Sequence, residues 1–509
     1  MIFRILILFI FLPFCTQVFA QKTVEKWKVF ELTLNGSKKG NPFTDVNLSA
    51  IFINGDDTVL TTGFYDGNSI YKIRFMPEKE GKWQYTTNSN IKSLNRKKGE
   101  FTCTSPQKKN HGKVVVSDSV FFSYEDGTPY NSFGTTCYAW VHQGDSLADL
   151  TIKTLSNGYF NKLRMCIFPK SYDWNHNEPI YYPFEGEPLK NWDYTRFNPA
   201  YFRNIEKRIL QLDSLGIEAD LIVFHPYDRW GFSKMERATD DMYIKYIIAR
   251  FSAFKNVWWS IANEFDLVIG KSMDDWDHYI EMFAKNDPFH HLISIHNGAK
   301  WYNHSNPLIT HLSIQNSDTR RANEFRKKYN KPVVYDECQY EGNIPWTWGN
   351  ITAQTMTMRF WQGFINGGHV GHGETYVTEK PVMLPGKSND VLWWSKGGVL
   401  KGESPDRIKF LREIIEAAPA HLHSTNILPA WMPYASTGVE NEYYLAYFND
   451  VQPRSATISL PEDTNFEVEI IDTWNMTITP LKKSYSGKCL IELPGKPYIA
   501  IRVTKAKTP

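Results

Sequence analysis

Two carboxylates stand where short apolar runs end. Trp258-Trp259-Ser260-Ile261-Ala262 leads into Asn263-Glu264, and Pro332-Val333-Val334-Tyr335-Asp336 leads into Glu337. A carboxylate at the end of a buried strand costs desolvation energy unless something pairs with it or uses it. Taken singly, each reads as a helix-leading acid or a salt-bridge partner. Taken together, at the ends of two such runs, they point to paired-carboxylate chemistry, one carboxyl ionised and the other protonated. Mutual repulsion raises the proton affinity of one member, which can then act as an acid near neutral pH. Asp336 should point away from Glu337 in an extended strand, and structural pairing is its expected role.

Other chemistry-bearing residues carry more than one reading. His225 follows Val223-Phe224 and His296 ends another apolar run; each is a sugar-hydroxyl contact or a satisfied structural histidine. His369, His372 and Glu374 are close enough in sequence to suggest a metal-dependent hydrolase, since zinc sites recruit about three such ligands, although the spacing is not a standard zinc motif. Aromatic residues crowd residues 170–197 (Tyr172, Trp174, Tyr181, Tyr182, Trp192, Tyr194) and follow Glu337 as Trp346 and Trp348. Such rings stack on sugar faces or pack a long insertion; one or two of the eight are expected to touch substrate, and Trp346 is taken as a candidate.

These residues need rigid elements to hold them. Between about 130 and 420, apolar runs alternate with helical patterns. Strands are expected at residues 131–136, 160–168, 217–224, 257–262, 292–296, 310–314, 332–337 and 364–372. Asn198-Pro199 forms a helix start, Phe202, Ile205, Ile209 and Leu212 share one face, and Gly216 stops the helix. Eight such repeats predict a (β/α)8 barrel, in which chemistry sits at the C-terminal strand ends. A doubly wound sheet would want a glycine-rich phosphate loop after the first strand, and Gly134-Thr135-Thr136-Cys137 is not one. On either side the pattern is β: Phe30, Leu32 and Leu34 alternate with polar residues near one end, and Phe466, Val468 and Ile470 near the other. The chain therefore divides into residues 1–20 as a secretory leader, an N-terminal β-sandwich (21–112), a catalytic barrel (113–420) and a C-terminal β-sandwich (421–509). The flanking domains are expected to brace the barrel.

The leader has Arg4 before the apolar run Ile5–Phe14 and ends in Val18-Phe19-Ala20. Bulky Phe14 fits poorly before a lipid-attached cysteine at Cys15, so the mature protein is expected to be soluble in the periplasm or outside the cell. Five cysteines remain (Cys103, Cys137, Cys166, Cys338, Cys489), an odd and widely spaced set that reads as buried thiols. Lys and Arg total 57 against 55 Asp and Glu, which gives no basic stripe for nucleic acid or anionic membrane. Aromatic residues at 15% fit packed β-structure and sugar-stacking surfaces equally.

Asn263-Glu264 after the fourth strand and Glu337 after the seventh resemble clan GH-A retaining glycosidases. The resemblance implies that Glu264 is the acid/base and Glu337 the nucleophile. It further implies that Asn263 bonds the sugar 2-hydroxyl and that Arg164 keeps the nucleophile ionised. Phe122 to Thr136 resembles the start of the barrel in apiosidase-like exported glycosidases. The segments Gly371-His-Gly-Glu-Thr-Tyr376, Trp393 to Gly398 and Pro405-Asp406-Arg407 are similar to a subgroup of them with flanking β-domains. The sequence departs from the clan where Ile314-Gln315-Asn316 replaces a tyrosine after strand six, and where His372 and Glu374 replace a tryptophan after strand eight. His225, His296, His372, Glu374 and Trp346 stand as further substrate contacts. Carbohydrate is the expected partner, and two-carboxylate chemistry needs no metal or organic cofactor. The rival to a β-glycosidase is a non-catalytic carbohydrate- or protein-binding barrel, which has no need of the carboxylate pair.

Overall fold

The computed structural model describes residues 23–172, 174–188, 190–378 and 390–507; the expected leader, with Cys15, lies outside them. Among the described residues, no helix is long and apolar enough to cross a membrane. At the centre, eight parallel strands run in order around a barrel: Phe133–Thr136, Lys162–Cys166, Glu218–Phe224, Val257–Ala262, Ile293–Ser294, Leu312–Gln315, Val333–Glu337 and His369–His372. The eighth pairs with the first and the seventh, and a parallel bridge from His296 to Ser313 closes the ring between the fifth and sixth.

Helices cover the outside. Pro199–Ser214 starts as its sequence predicts: the Asn198 side chain accepts from the Ala200 amide and Pro199 takes the first turn. Its face of Phe202, Ile205, Ile209 and Leu212 is buried. Gly216, at φ 69°, then reverses the chain into the third strand. The first, second, fifth and eighth strands are shorter than expected, the last two for reasons visible in the structure. The fifth is a two-residue strand that returns to the sixth through residues 295–311 without a helix. The eighth begins at His369, because Phe364 belongs to helix Ala353–Ile365, which ends before Gly367 at φ 78°. Phe364 packs inward instead, stacked on Phe133 with centroids 4.1 Å apart.

The N-terminal end of the barrel is sealed by a three-stranded sheet, Val114–Ser117, Phe121–Tyr124 and Pro129–Tyr130. From it, Phe122 inserts against Trp258, His311 and His369, with ring centroids 5.2, 5.6 and 5.2 Å away. Separate sheets flank the barrel. Residues 23–104 form a five-stranded and a three-stranded sheet around Phe30, Phe52, Phe75, Trp83 and Phe101. Residues 423–505 form a six-stranded and a two-stranded sheet around Ile458, Phe466, Val468, Ile491 and Val503. The five cysteines after residue 22 are free thiols, buried except for the partly exposed Cys489.

Charge crosses one domain boundary. Arg74 of the N-terminal sheets donates to Glu206 of helix Pro199–Ser214 at 2.7 and 3.1 Å and to the Arg250 carbonyl at 2.6 Å. Arg250 of helix Arg237–Phe251 donates to Glu206 at 2.7 Å and to Asp66 at 2.9 Å. All four side chains are buried.

Candidate functional site

Below the C-terminal mouth, the barrel interior holds an ion cluster rather than an apolar plug. Lys162 Nζ donates to Asp220 at 2.7 Å and Asp336 at 2.6 Å, and Ser313 donates to Asp336 at 2.5 Å. Burial alone would raise Asp336, but Lys162 and Arg164 beside it hold its carboxyl well below the usual range. Asp336 thus makes the structural pairing expected of it. A register irregularity sets it apart from its neighbour: Ile314 pairs with Tyr335 but Gln315 pairs with Glu337.

Glu337 therefore reaches the mouth beside Gln315. Arg164 lies beneath, with Nη1 3.7 Å from Glu337 Oε1 and donating to Asn263 Oδ1 at 3.1 Å. The Tyr138 hydroxyl donates to Glu337 Oε1 and lies 3.2 Å from the Tyr340 hydroxyl. Opposite, Glu264 follows the fourth strand in the left-handed region, at φ 49° and ψ 55°. That conformation is costly for a residue with a Cβ, and such strain gathers at functional sites. Its Oε2 accepts from the Tyr227 hydroxyl and, at 3.0 Å, from Asn263 Nδ2. One group spans the pair: the Gln315 amide nitrogen, turned toward the carboxylates, donates to Glu264 Oε1 at 3.3 Å and to Glu337 Oε2 at 3.2 Å.

The environment is asymmetric. Burial, then the charge of Glu337, pushes Glu264 up to about 7, against the hydroxyl of Tyr227 and the charges of Lys170 and Arg164. The pair opens onto a cleft of about 490 Å³ floored and walled by Tyr138, Lys170, Tyr227, Tyr340, Trp348 and Trp394. Other crevices of about 410 and 650 Å³, at the sealed barrel end and along the N-terminal sheets, are lined by no pair of carboxylates. An open mouth, two carboxyls within reach of one amide, and one of them protonated near neutrality can together cleave an acetal by nucleophilic attack and proton donation.

The other sequence candidates divide. Asn263 lines the cleft and Arg164 lies under it, whereas His225, His296, His372, Glu374 and Trp346 do not line it. His225 Nε2 is 3.2 Å from the Phe168 carbonyl, and burial lowers its pKa to about 4. His296 is fully buried. Trp346 stacks behind Trp348, which lines the cleft together with Tyr172. The metal reading fails as first grouped. His369 and His372 stand three residues apart on one strand, about 10 Å. His369 Nδ1 accepts from the Ser132 amide near the sealed end. His372 and Glu374 instead approach Glu341, with one ligand atom from each within 4.8 Å of the others. Those carboxylates already hold the segment before the last barrel helix. Glu374 accepts from the amides of Lys401 and Gly402 at 2.6 and 2.7 Å. Glu341 accepts from the amides of Glu403 and Ser404 and the hydroxyls of Ser404 and Tyr376, which uses all four of its lone-pair positions.

Tyr138, Lys170, Tyr227 and Tyr340 escaped the sequence reading. Each follows a barrel strand by a few residues, where no local pattern distinguishes a cleft residue from a loop residue. Strand order offered the one available signal, since all come from the mouth side of the repeats.

Residues 117–419 match the family model described as apiosidase-like, catalytic domain. Residues 23–90 and 431–504 match domains of unknown function, DUF5060 and DUF5605. A solved structure from Bacteroides vulgatus ATCC 8482, described as a "putative glycoside hydrolase", is 41% identical over 96% of this chain and 100% of its own, with a TM-score of 0.90. A glycoside hydrolase family 5 structure from the same organism is 14% identical over 77% of this chain and 94% of its own, with a TM-score of 0.60, a likeness of fold alone. No curated protein matches. Barrel, mouth and relatives agree, and the chain belongs to the family with an apiosidase-like catalytic domain, as a glycoside hydrolase.

Proposed function

We propose that this is an exported retaining β-glycosidase, with Glu337 as nucleophile and Glu264 as acid/base. The observation that carries the reading is the Gln315 amide reaching both carboxylates, 3.3 and 3.2 Å away, which keeps those two oxygens within about 6.5 Å of each other, at or below the spacing that leaves room for an intervening water. Export rests on the apolar, Arg4-led start of the sequence.

In the first step Glu337 attacks the anomeric carbon as the glycosidic C–O bond breaks. The leaving oxygen takes the proton of Glu264, and a glycosyl ester remains on Glu337. In the second, Glu264, now ionised, takes a proton from water, whose oxygen attacks the anomeric carbon and frees Glu337. Arg164 and the Tyr138 hydroxyl hold the carboxylate of Glu337 in position before attack and after release. Burial keeps the proton on Glu264 until the leaving group needs it. Asn263, held between Arg164 and Glu264 and lining the cleft, is assigned to a sugar hydroxyl in this reading.

The test is proton NMR of the first-formed product from a substrate found by screening plant and algal polysaccharides. Retained configuration is expected; an inverted first product overturns the double displacement while leaving the glycosidase family intact.

A further inference from the structure

Lys170 is the one cation lining the cleft among the described residues; burial lowers its pKa, and Cys166, Glu264 and Glu337 nearby act the other way. It follows the second strand, lines the mouth, and is 5% exposed. Its ammonium lies 3.8 Å from the centroid of Tyr138, 4.3 Å from Tyr227, 4.9 Å from Trp394 and 5.4 Å from Tyr172. Two of those rings are the ones whose hydroxyls hold Glu337 and Glu264. The cage attracts the cation through the ring faces but offers it no oxygen acceptor. Among the described residues, no ion pair or hydrogen bond is made by Lys170 Nζ. The other cations near the mouth are committed: Lys162 to Asp220 and Asp336, and Arg164 to Asn263, Ser260 and Glu337.

A buried ammonium with three unused donors is expensive, and a neutral donor would have served a sugar hydroxyl at less cost. Besides the two catalytic carboxylates, no acidic residue lines the cleft, so nothing else there repels an anion. With Glu264 protonated near neutrality, the substrate-facing charges are Glu337, already faced by Arg164, and Lys170. We propose that Lys170 is a specificity residue that binds an oxyanion substituent, a carboxylate or sulfate ester, on the sugar seated at the catalytic pair. The enzyme's substrate class is then an acidic saccharide. This rests on the cleft being the glycosidase site proposed above.

Calorimetric titration tests it without turnover, using the full chain carrying Glu264→Gln, which keeps a neutral side chain and blocks proton donation. The probes are uronate oligosaccharides, sulfate-ester oligosaccharides and their neutral parents. At least one acidic class should bind about 10- to 100-fold more tightly than its neutral parent, as expected for charge-assisted hydrogen bonds. Which class binds identifies the oxyanion. Adding Lys170→Met should erase the gap, bringing the ratio of acidic to neutral affinity to within about threefold of one. Should that variant fail to fold, affinity of the parent for the acidic probe must still fall as salt rises. Equal binding of neutral parents, a gap that survives Lys170→Met, salt-independent affinity, or no binding of any acidic probe overturns the proposal. A failed glycosidase reading would look different: the acidic preference would persist while the wild-type chain cleaves none of the probes.

Discussion

The two ends of the barrel each bury a carboxyl with a raised pKa, and they differ in everything else. At the mouth, burial and Glu337 push Glu264 to about 7; at the sealed end, burial pushes Glu218 to about 8. Glu218 accepts one hydrogen bond, from Trp258 Nε1 at 3.1 Å, in the layer that Phe122 closes. Glu264 has a second carboxylate across the Gln315 amide and an open cleft in front. A shifted pKa therefore records burial at both ends. What separates a reactive carboxyl from a tolerated one is an opposed partner and room for a substrate.

The sharpest break of that comparison is Glu337→Ala, expected to lower kcat/KM on the order of 10⁴-fold or more on every substrate, with thermal unfolding little changed. Activity above a tenth of wild type would place the nucleophile elsewhere. Glu264→Ala should cost about 10²–10⁴-fold, most on poor leaving groups. On an activated aryl glycoside, azide should restore its turnover and give a β-glycosyl azide; an α-azide would reverse the two roles. Tyr227→Phe is a smaller change, roughly tenfold. Proton donation needs Glu264 protonated, so kcat/KM falls as pH rises through about 7. The Tyr227 hydroxyl steadies the ionised form, so its loss should move this alkaline limb upward. A pH profile showing no shift, or an acid shift, would contradict the hydrogen bond.

At the sealed end, Glu218→Gln should change kcat/KM by less than about twofold. Its effect is on stability. The native state keeps a proton at Glu218 up to about 8, while the unfolded chain releases it near 4.5, so stability attributable to this group is present below 4.5 and lost as pH rises toward 8. The variant should lack that decline. Parallel melting-temperature profiles of the two proteins between pH 4.5 and 8.5 would show the change in slope, and superimposable slopes would mean the carboxyl is solvated.

How much of this was legible depended on whether the signal was local. The third, fourth and seventh strands were plain because apolar runs bounded by turns repeat at barrel spacing. The fifth was overdrawn because a continuous ladder forms only at Ile293 and Ser294, with an isolated bridge at His296, although Ile295 is just as apolar and buried. The eighth was misplaced because Phe364 is as apolar in a helix as in a strand. At the mouth, Glu264 and Glu337 were visible as acids ending apolar runs. Tyr138, Tyr227 and Lys170 were not, because their roles arise only when loops after different strands meet. Gln315 stood in view as a missing tyrosine; in the structure the hydroxyls of Tyr138 and Tyr340 occupy the Glu337 side and the amide of Gln315 joins the pair.

The four buried charges joining Asp66 and Arg74 to Glu206 and Arg250 make the N-terminal sheets a poor cassette. Exchanging that domain for one that covers the same helices without matching charges would leave Glu206 and Arg250 buried with only each other, at a cost of up to about 3–5 kcal/mol for a broken buried network. Recombination that shuffles accessory domains among catalytic barrels would thus be filtered at this seam. A replacement neighbour would have to supply an arginine and an aspartate in the same places. A single calorimetric transition spanning both domains would be the physical signature of that shared inheritance.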